Sequence, residues 1–192
     1  MSASGSHSGR LAIRLSLPIV GDDARSLRAG DRVLLSGVLY TGRDVAHRRL
    51  VELLDRGGAL PFDPSGQVIY YVGPCPAAPG RVIGSAGPTT SGRMDAYAPR
   101  LLDAGLRGMI GKGPRSRAVI EAMTRNGAVY FAAIGGAGAL LARAIKEAEV
   151  VAFGELGPEA IYRLRVEDFP VTVAVDSTGT DLYAIGREPY RR

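Results

Sequence analysis

Three short segments of the chain set a cation beside glycine and hydroxyl residues at the start of an expected helix: TGRDVAHRR (41–49), GPTTSGRMD (87–95) and GKGPRS (111–116). Each follows an apolar, strand-forming run. A helix N-terminus offers unpaired backbone N–H groups and the positive end of a dipole, to which Arg43, Arg93 and Lys112 add full charges. The chemistry this suits is capture of a small polyanion. In the second segment Thr89, Thr90 and Ser91 can surround a carboxylate while Arg93 binds it through two parallel bonds; capping a helix is the other use of those hydroxyls. His47 stands one helical turn after Arg43, a spacing open to a hydrogen-bonded structural histidine and to proton transfer at the same anion. Asp44 and Asp95 follow Arg43 and Arg93 by one and two positions, which suits helix capping or orientation of a guanidinium.

Other chemistries are poorly served. Gly111-Lys112-Gly113 lacks the leading glycine and the trailing hydroxyl of a phosphate-binding loop, since Leu106 and Gly113 occupy those places. Gly136-Ala137-Gly138 opens a helix as a dinucleotide-binding turn would, but Leu141 replaces the third glycine, and close packing of helix on sheet accounts better for Gly135 and Gly136. One cysteine, Cys75, excludes an intrachain disulfide, and a lone thiol with two histidines cannot hold an iron-sulfur cluster. A small core residue is the expected role of Cys75, and a cytoplasmic location the expected compartment. The net charge of +5 is spread along the chain among acidic residues, which argues against a nucleic-acid partner.

The elements that must place these residues follow from periodicity. Residues 1–10 are polar, lack the apolar centre of a secretion signal and read as a disordered tail in which His7 has no role; 11–192 then form one domain. No run approaches about 18 apolar residues, so no membrane span is expected. Strands are predicted at 11–20, 33–40, 68–72, 81–86, 108–111, 128–134 and 149–153, with helices at 44–57, 94–105, 116–127 and 137–145. Residues 21–31 form a turn or short helix, and the proline-rich stretch 74–79 a hinge or partner-facing loop. This alternation predicts a largely parallel sheet with crossover helices, whose carboxyl edge would gather the three cationic segments. After Gly157 three more strands, at 161–166, 171–176 and 182–185, predict an antiparallel portion formed by the two ends of the chain.

In order, TGRDVAHRRL, VGPCPA, GPTTSGRMDAY, MIGKGPRS, AVYFAAIGGAGALL and VEDFPVTVAVDSTGTDLY resemble the β subunit, or equivalent carboxyl-terminal domain, of class I iron-sulfur-dependent fumarate hydratases, over residues 11–185. Related tartrate dehydratase β subunits share the first and third patterns. The resemblance implies an α/β fold, a swivelling β/β/α three-layer domain, working with a partner α subunit that holds a four-iron, four-sulfur cluster on three cysteines. That heterodimer is expected to pair again. It further implies that Arg43, Thr89, Arg93 and Lys112 contact the dicarboxylate, with Thr89, Arg93 and Lys112 catalytic and Thr89 taking part in proton transfer. Asp44, His47, Thr90, Ser91 and Asp95 would support them from behind. The implied activity is reversible hydration of fumarate to malate, in the cytoplasm and only with the partner. A tartrate or other hydroxy-dicarboxylate dehydratase is one alternative, and a non-catalytic anion-binding or assembly module the other. VGPCPA departs from common family versions at Cys75, which takes no role.

Overall fold

The computed structural model describes residues 11–186; the expected tail at 1–10 and residues 187–192 of the expected domain lie outside them. Four parallel strands form the centre: β2 (Arg32–Thr41), β3 (Val68–Tyr70), β4 (Gly108–Gly111) and β5 (Val129–Ala132). β1 (Ile13–Leu17) runs parallel to the first half of β2. β7 (Ile161–Val175) is antiparallel to β2 on one edge, and to β5 and β6 (Ile145–Ala152) on the other. The ladder β2–β3–β4–β5–β7 therefore returns to β2, and the mixed seven-stranded sheet is partly closed.

Side-chain alternation along these strands feeds two cores. Val68, Tyr70, Val72, Ile110, Val129 and Phe131 join β1, β2 and β7 in one apolar cluster. Ile69, Tyr71, Met109 and Tyr130 point to the other, against α2 (Asp44–Asp55), α3 (Ala98–Asp103) and α4 (Arg117–Asn126). Burial on both faces is why β3, β4 and β5 read as continuous apolar runs rather than as alternating ones. α2 buries Ala46, His47 and Leu50, and α4 buries Val119, Ala122 and Met123, each at helical spacing. Gly127 ends α4 in the left-handed conformation (φ 63°), which lets the Ala128 N–H reach the Met123 carbonyl at 2.9 Å.

Several expected elements differ. Residues 81–86 form no strand: Cys75 N–H bonds to the Ser85 carbonyl (2.9 Å) and Gly84 N–H to the Cys75 carbonyl (3.1 Å), so this segment folds back on the proline-rich loop. Pro74, Pro76 and Pro79 have no N–H to extend that pairing. Cys75 is exposed, not a core residue. The expected strands 161–166 and 171–176 are one strand, β7, which passes through Asp168 at a positive φ of 49°. The expected strand 182–185 is a helical turn, α6 (Leu182–Ile185), because the Asp181 carboxylate accepts from the Tyr183 N–H at 2.8 Å and caps it. α1 (Asp23–Ser26) is the short helix expected between the first two strands, and α5 (Gly138–Arg143) stops where β6 begins. Close packing, expected at Gly135 and Gly136, falls at Gly138: a Cβ there would overlap Ser85 and come within 2.8 Å of the Gly87 nitrogen, whereas one at Gly136 meets nothing within 4 Å. Among the described residues no helix is long and apolar enough to cross a membrane.

The start of α2 rests on His47, whose side chain is fully buried. Its Nδ1 lies 2.8 Å from the Arg43 carbonyl, so the imidazole carries its proton there and packs edge-on to Tyr71 at 5.1 Å. Burial pushes its pKa down to about 4, against a weaker upward pull from that hydrogen bond. A histidine that resists protonation in the fold binds its proton more readily when unfolded. Stability is therefore expected to fall by roughly 3 kcal/mol as pH drops from about 6.5 through about 4. Urea unfolding of the chain and of a His47→Met variant across this range checks it, the variant giving the flatter profile; identical profiles would contradict a neutral buried imidazole.

Candidate functional site

The parallel strands end together, so Gly42-Arg43 after β2, Tyr71-Val72-Gly73 after β3 and Lys112-Gly113 after β4 share one edge of the sheet. Residues 89–91 return to this edge from eighteen positions downstream of Tyr71 and insert between the ends of β3 and β4. Thr89 N–H donates to the Tyr71 carbonyl (2.8 Å), Lys112 N–H to the Thr89 carbonyl (3.2 Å), and Ser91 N–H to the Lys112 carbonyl (2.9 Å). A short 3₁₀ turn, Ser91–Met94, then presents Arg93. The expected coincidence of cation and α-helix start occurs only at Arg43, the N-cap of α2; Lys112 precedes the N-cap of α4, Ser116, by four residues.

The two arginines are held by different carboxylates. Arg93 Nη2 donates to Asp44 Oδ2 at 2.6 Å, and Asp44 directly follows Arg43. Burial works to raise the Asp44 carboxyl, but the Arg93 hydrogen bond, a backbone hydrogen bond and the charges of Arg93 and Arg43 outweigh it and hold its pKa below the ordinary value. Arg43 Nη1 lies 3.0 Å from Glu159 Oε1, both side chains about a quarter exposed. The guanidinium lies against Gly73, where a Cβ would approach its Nη1 to 3.0 Å. Arg43 Nε and Asp44 Oδ1 are buried without a protein partner. Across the inserted segment, Lys112 is exposed, lies over Gly135, and has no carboxylate at ion-pair distance among the described residues.

Arg43, Asp44 and Arg93 form one connected group, and Thr89, Thr90 and Lys112 share the inserted ladder beside it. Thr89 is half-buried and Thr90 exposed. Ser91 is turned away from the edge, since its hydroxyl is buried on Tyr130 at 2.8 Å and cannot join an anion at the surface. Asp95 serves Arg115 (2.8 Å) and the Ser116 N–H (2.6 Å), not Arg93. The guanidinium oriented by Asp44 is likewise that of Arg93, not of its neighbour. His47 lies beneath α2, out of reach of solvent. Glu159, Tyr130, Tyr183 and Arg115 were not singled out by sequence. Arg115 lay inside the quoted GKGPRS segment, and only its burial distinguishes it from the exposed cations nearby.

The donor set of this chain does not fit an iron-sulfur cluster. Among the described residues no three His, Cys, Asp or Glu side chains gather where a metal ion could sit, and Cys75 stands alone at the surface. What the edge can do is hold a small polyanion between fixed guanidinium, ammonium, hydroxyl and backbone donors.

The chain is 45% identical over 154 residues to the anaerobic class I fumarate hydratase of Escherichia coli and 44% identical over 154 residues to the aerobic class I fumarate hydratase of Salmonella typhimurium, 79% of the chain in each case. It spans 28% of the length of the first of these relatives and 27% of the second. A protein of Methanocaldococcus jannaschii named putative L(+)-tartrate dehydratase subunit beta is 39% identical over 167 residues, 84% of this chain and 86% of that protein. The family described as Fumarase C-terminus matches residues 2–186. With a match across nearly its whole length, the chain belongs to the Fumarase C-terminus family.

Proposed function

We propose that the chain is the β subunit, or the corresponding carboxyl-terminal part, of an iron-sulfur hydro-lyase that interconverts fumarate and malate, with the four-iron, four-sulfur cluster carried by a partner α subunit. The observation that carries the reading is the gathering of three cations at one sheet edge: Arg93 held by Asp44, Arg43 held by Glu159, and Lys112 across the inserted segment with no carboxylate of its own among the described residues. The chemistry of the cluster belongs to the partner, and this chain supplies binding and charge stabilisation. The domain would swivel against that partner in the cytoplasm, and the heterodimer would pair again.

Malate loses a carbon-bound proton next to a carboxylate and its hydroxyl as water. Removal of that proton delocalises an extra negative charge onto the adjacent carboxylate, which must be stabilised in the transition state more than in the ground state. Arg93 and Lys112 meet that charge. Arg43 holds the second carboxylate, so that the breaking bonds keep a fixed relative geometry. The ion pairs to Asp44 and Glu159 occupy only part of each guanidinium, which has five N–H donors in all. Thr89, whose backbone is fixed on both sides by the ladder, offers its hydroxyl as a hydrogen-bond donor to the same charge. Ordinary threonine is too weakly acidic to act as a base without strong cationic activation, and Lys112 is the neighbouring cation.

A tartrate dehydratase subunit is the second reading, supported by the archaeal relative, most of whose length the chain covers. Anaerobic co-expression with a cysteine-bearing α subunit, assayed with malate, fumarate and each tartrate isomer, decides between them. Malate and fumarate are expected to interconvert in the complex and not with this chain alone; activity of the single chain would reject the division of labour. Binding of malate without turnover in the cluster-loaded complex would point to an anion-binding module instead. Arg93→Ala in the complex is expected to lose about 3 kcal/mol of transition-state stabilisation, roughly a hundredfold in kcat/KM. Arg43→Ala is expected to act chiefly on KM, because it removes a contact made equally in ground and transition states. Wild-type efficiency in the Arg93 variant would take that residue out of the site.

A further inference from the structure

The turns that present Arg93 and Lys112 are joined beneath the surface by two buried side chains, Tyr130 and Arg115. Tyr130, on β5, donates its hydroxyl proton to the Gly113 carbonyl at 2.9 Å. With that proton committed, Ser91 Oγ is the donor in the 2.8 Å bond between the two hydroxyls. Ser91 precedes Arg93 by two residues, and Gly113 follows Lys112. The Gly113 N–H is held in turn by the Tyr183 hydroxyl at 3.1 Å. A second link runs through Arg115, whose side chain is wholly buried. Its Nε donates to Asp95 Oδ1 at 2.8 Å, Asp95 Oδ2 accepts from the Ser116 N–H at 2.6 Å, and the guanidinium lies 5.3 Å and 5.0 Å from the ring centres of Tyr71 and Tyr130. Turn 91–95 and turn 112–116, already joined by the Ser91 N–H to the Lys112 carbonyl, are thus tied by side chains as well, through a hydroxyl and through an ion pair.

Such an arrangement is costly as a mere plug. Burying an arginine demands compensation, and Arg115 Nη2 has no protein partner; apolar side chains of similar volume would commonly fill the space at no loss of stability. Its value lies in geometry, because displacing a charge-stabilising group by about an ångström can cost on the order of a hundredfold in rate.

We infer that Tyr130 and Arg115 form a buried clamp that fixes Arg93 relative to Lys112, making Tyr130 a positioning residue for the pair that meets the developing charge. The inference rests on the proposed function for the identity of that charge, but the clamp itself can be tested without the reaction. Tyr130→Phe deletes the hydroxyl and keeps the ring against Arg115. In the full chain, amide hydrogen exchange within 91–95 and 112–116 is expected to rise about tenfold, while α2 keeps its wild-type rates. Unchanged exchange in both turns overturns the clamp. In the complex with the α subunit, kcat/KM for malate is expected to fall about tenfold, and the fall to vanish in an Arg93→Ala background, where nothing is left to position. Equal losses in the two backgrounds overturn the positioning role. Full turnover by Arg93→Ala alone overturns the proposed function and leaves the exchange result standing. Should Tyr130→Phe fail to fold, Ser91→Ala cuts the same link from its other end and carries both measurements.

Discussion

The carboxyl edge depends on one backbone constraint: residues 89–91 enter the sheet as a spacer between the ends of β3 and β4. Three main-chain hydrogen bonds, from Thr89 to Tyr71, Lys112 to Thr89 and Ser91 to Lys112, determine where the side chains of all three segments stand. Because successive residues of an extended segment face opposite ways, a slip of one position would exchange Thr89 and Ser91 for Thr90 at the sites they fill. The slip is opposed by Ser91, whose hydroxyl is locked on Tyr130, and by Gly111, where any Cβ would overlap Ser91 Oγ. Glycine at 111 is required there by the close passage of another chain segment, not by an unusual dihedral angle.

Electrostatics then acts on a frame already built. The exposed ion pairs of the molecule, such as Arg117 with Glu121 and Arg125 with Asp103, each contribute little in water. The pairs at the edge serve orientation. Asp44 and Glu159 hold the Arg93 and Arg43 guanidiniums, so the conformational freedom of these donors is already reduced. Lys112, with no carboxylate of its own among the described residues, leaves the local charge positive.

How much of this the sequence revealed follows the range of the interactions. Helices α2 and α4 are legible because the periodic Ala46 and Leu50, or Val119 and Met123, and the terminal Gly57 and Gly127 act within a few residues. The candidate cations were legible as types at strand ends. Their partners were not: Arg93 pairs with Asp44 across 49 positions, and Arg43 with Glu159 on a segment that offered no motif. Burial is equally invisible, which is why the hydroxyl of Ser91 reads as a ligand donor and Arg115 carries no signal of its own in the sequence. At 81–86 the apolar composition suggested a strand, while the prolines preceding it prevented a ladder. At 182–185 a single carboxylate, Asp181, overrode the strand propensity of Leu, Tyr and Ile.

β2 reaches its antiparallel neighbour only at residues 163–172, more than 120 positions later. During synthesis the length from Arg32 to Tyr40 must wait for that neighbour, with one row of main-chain donors and acceptors unpaired, until residues 163–172 have left the ribosome. A chain stopped short of β7 would carry an open template for pairing with its own copies. Premature termination near Gly157 therefore does more than remove a strand, since the product left behind exposes an edge that invites self-association.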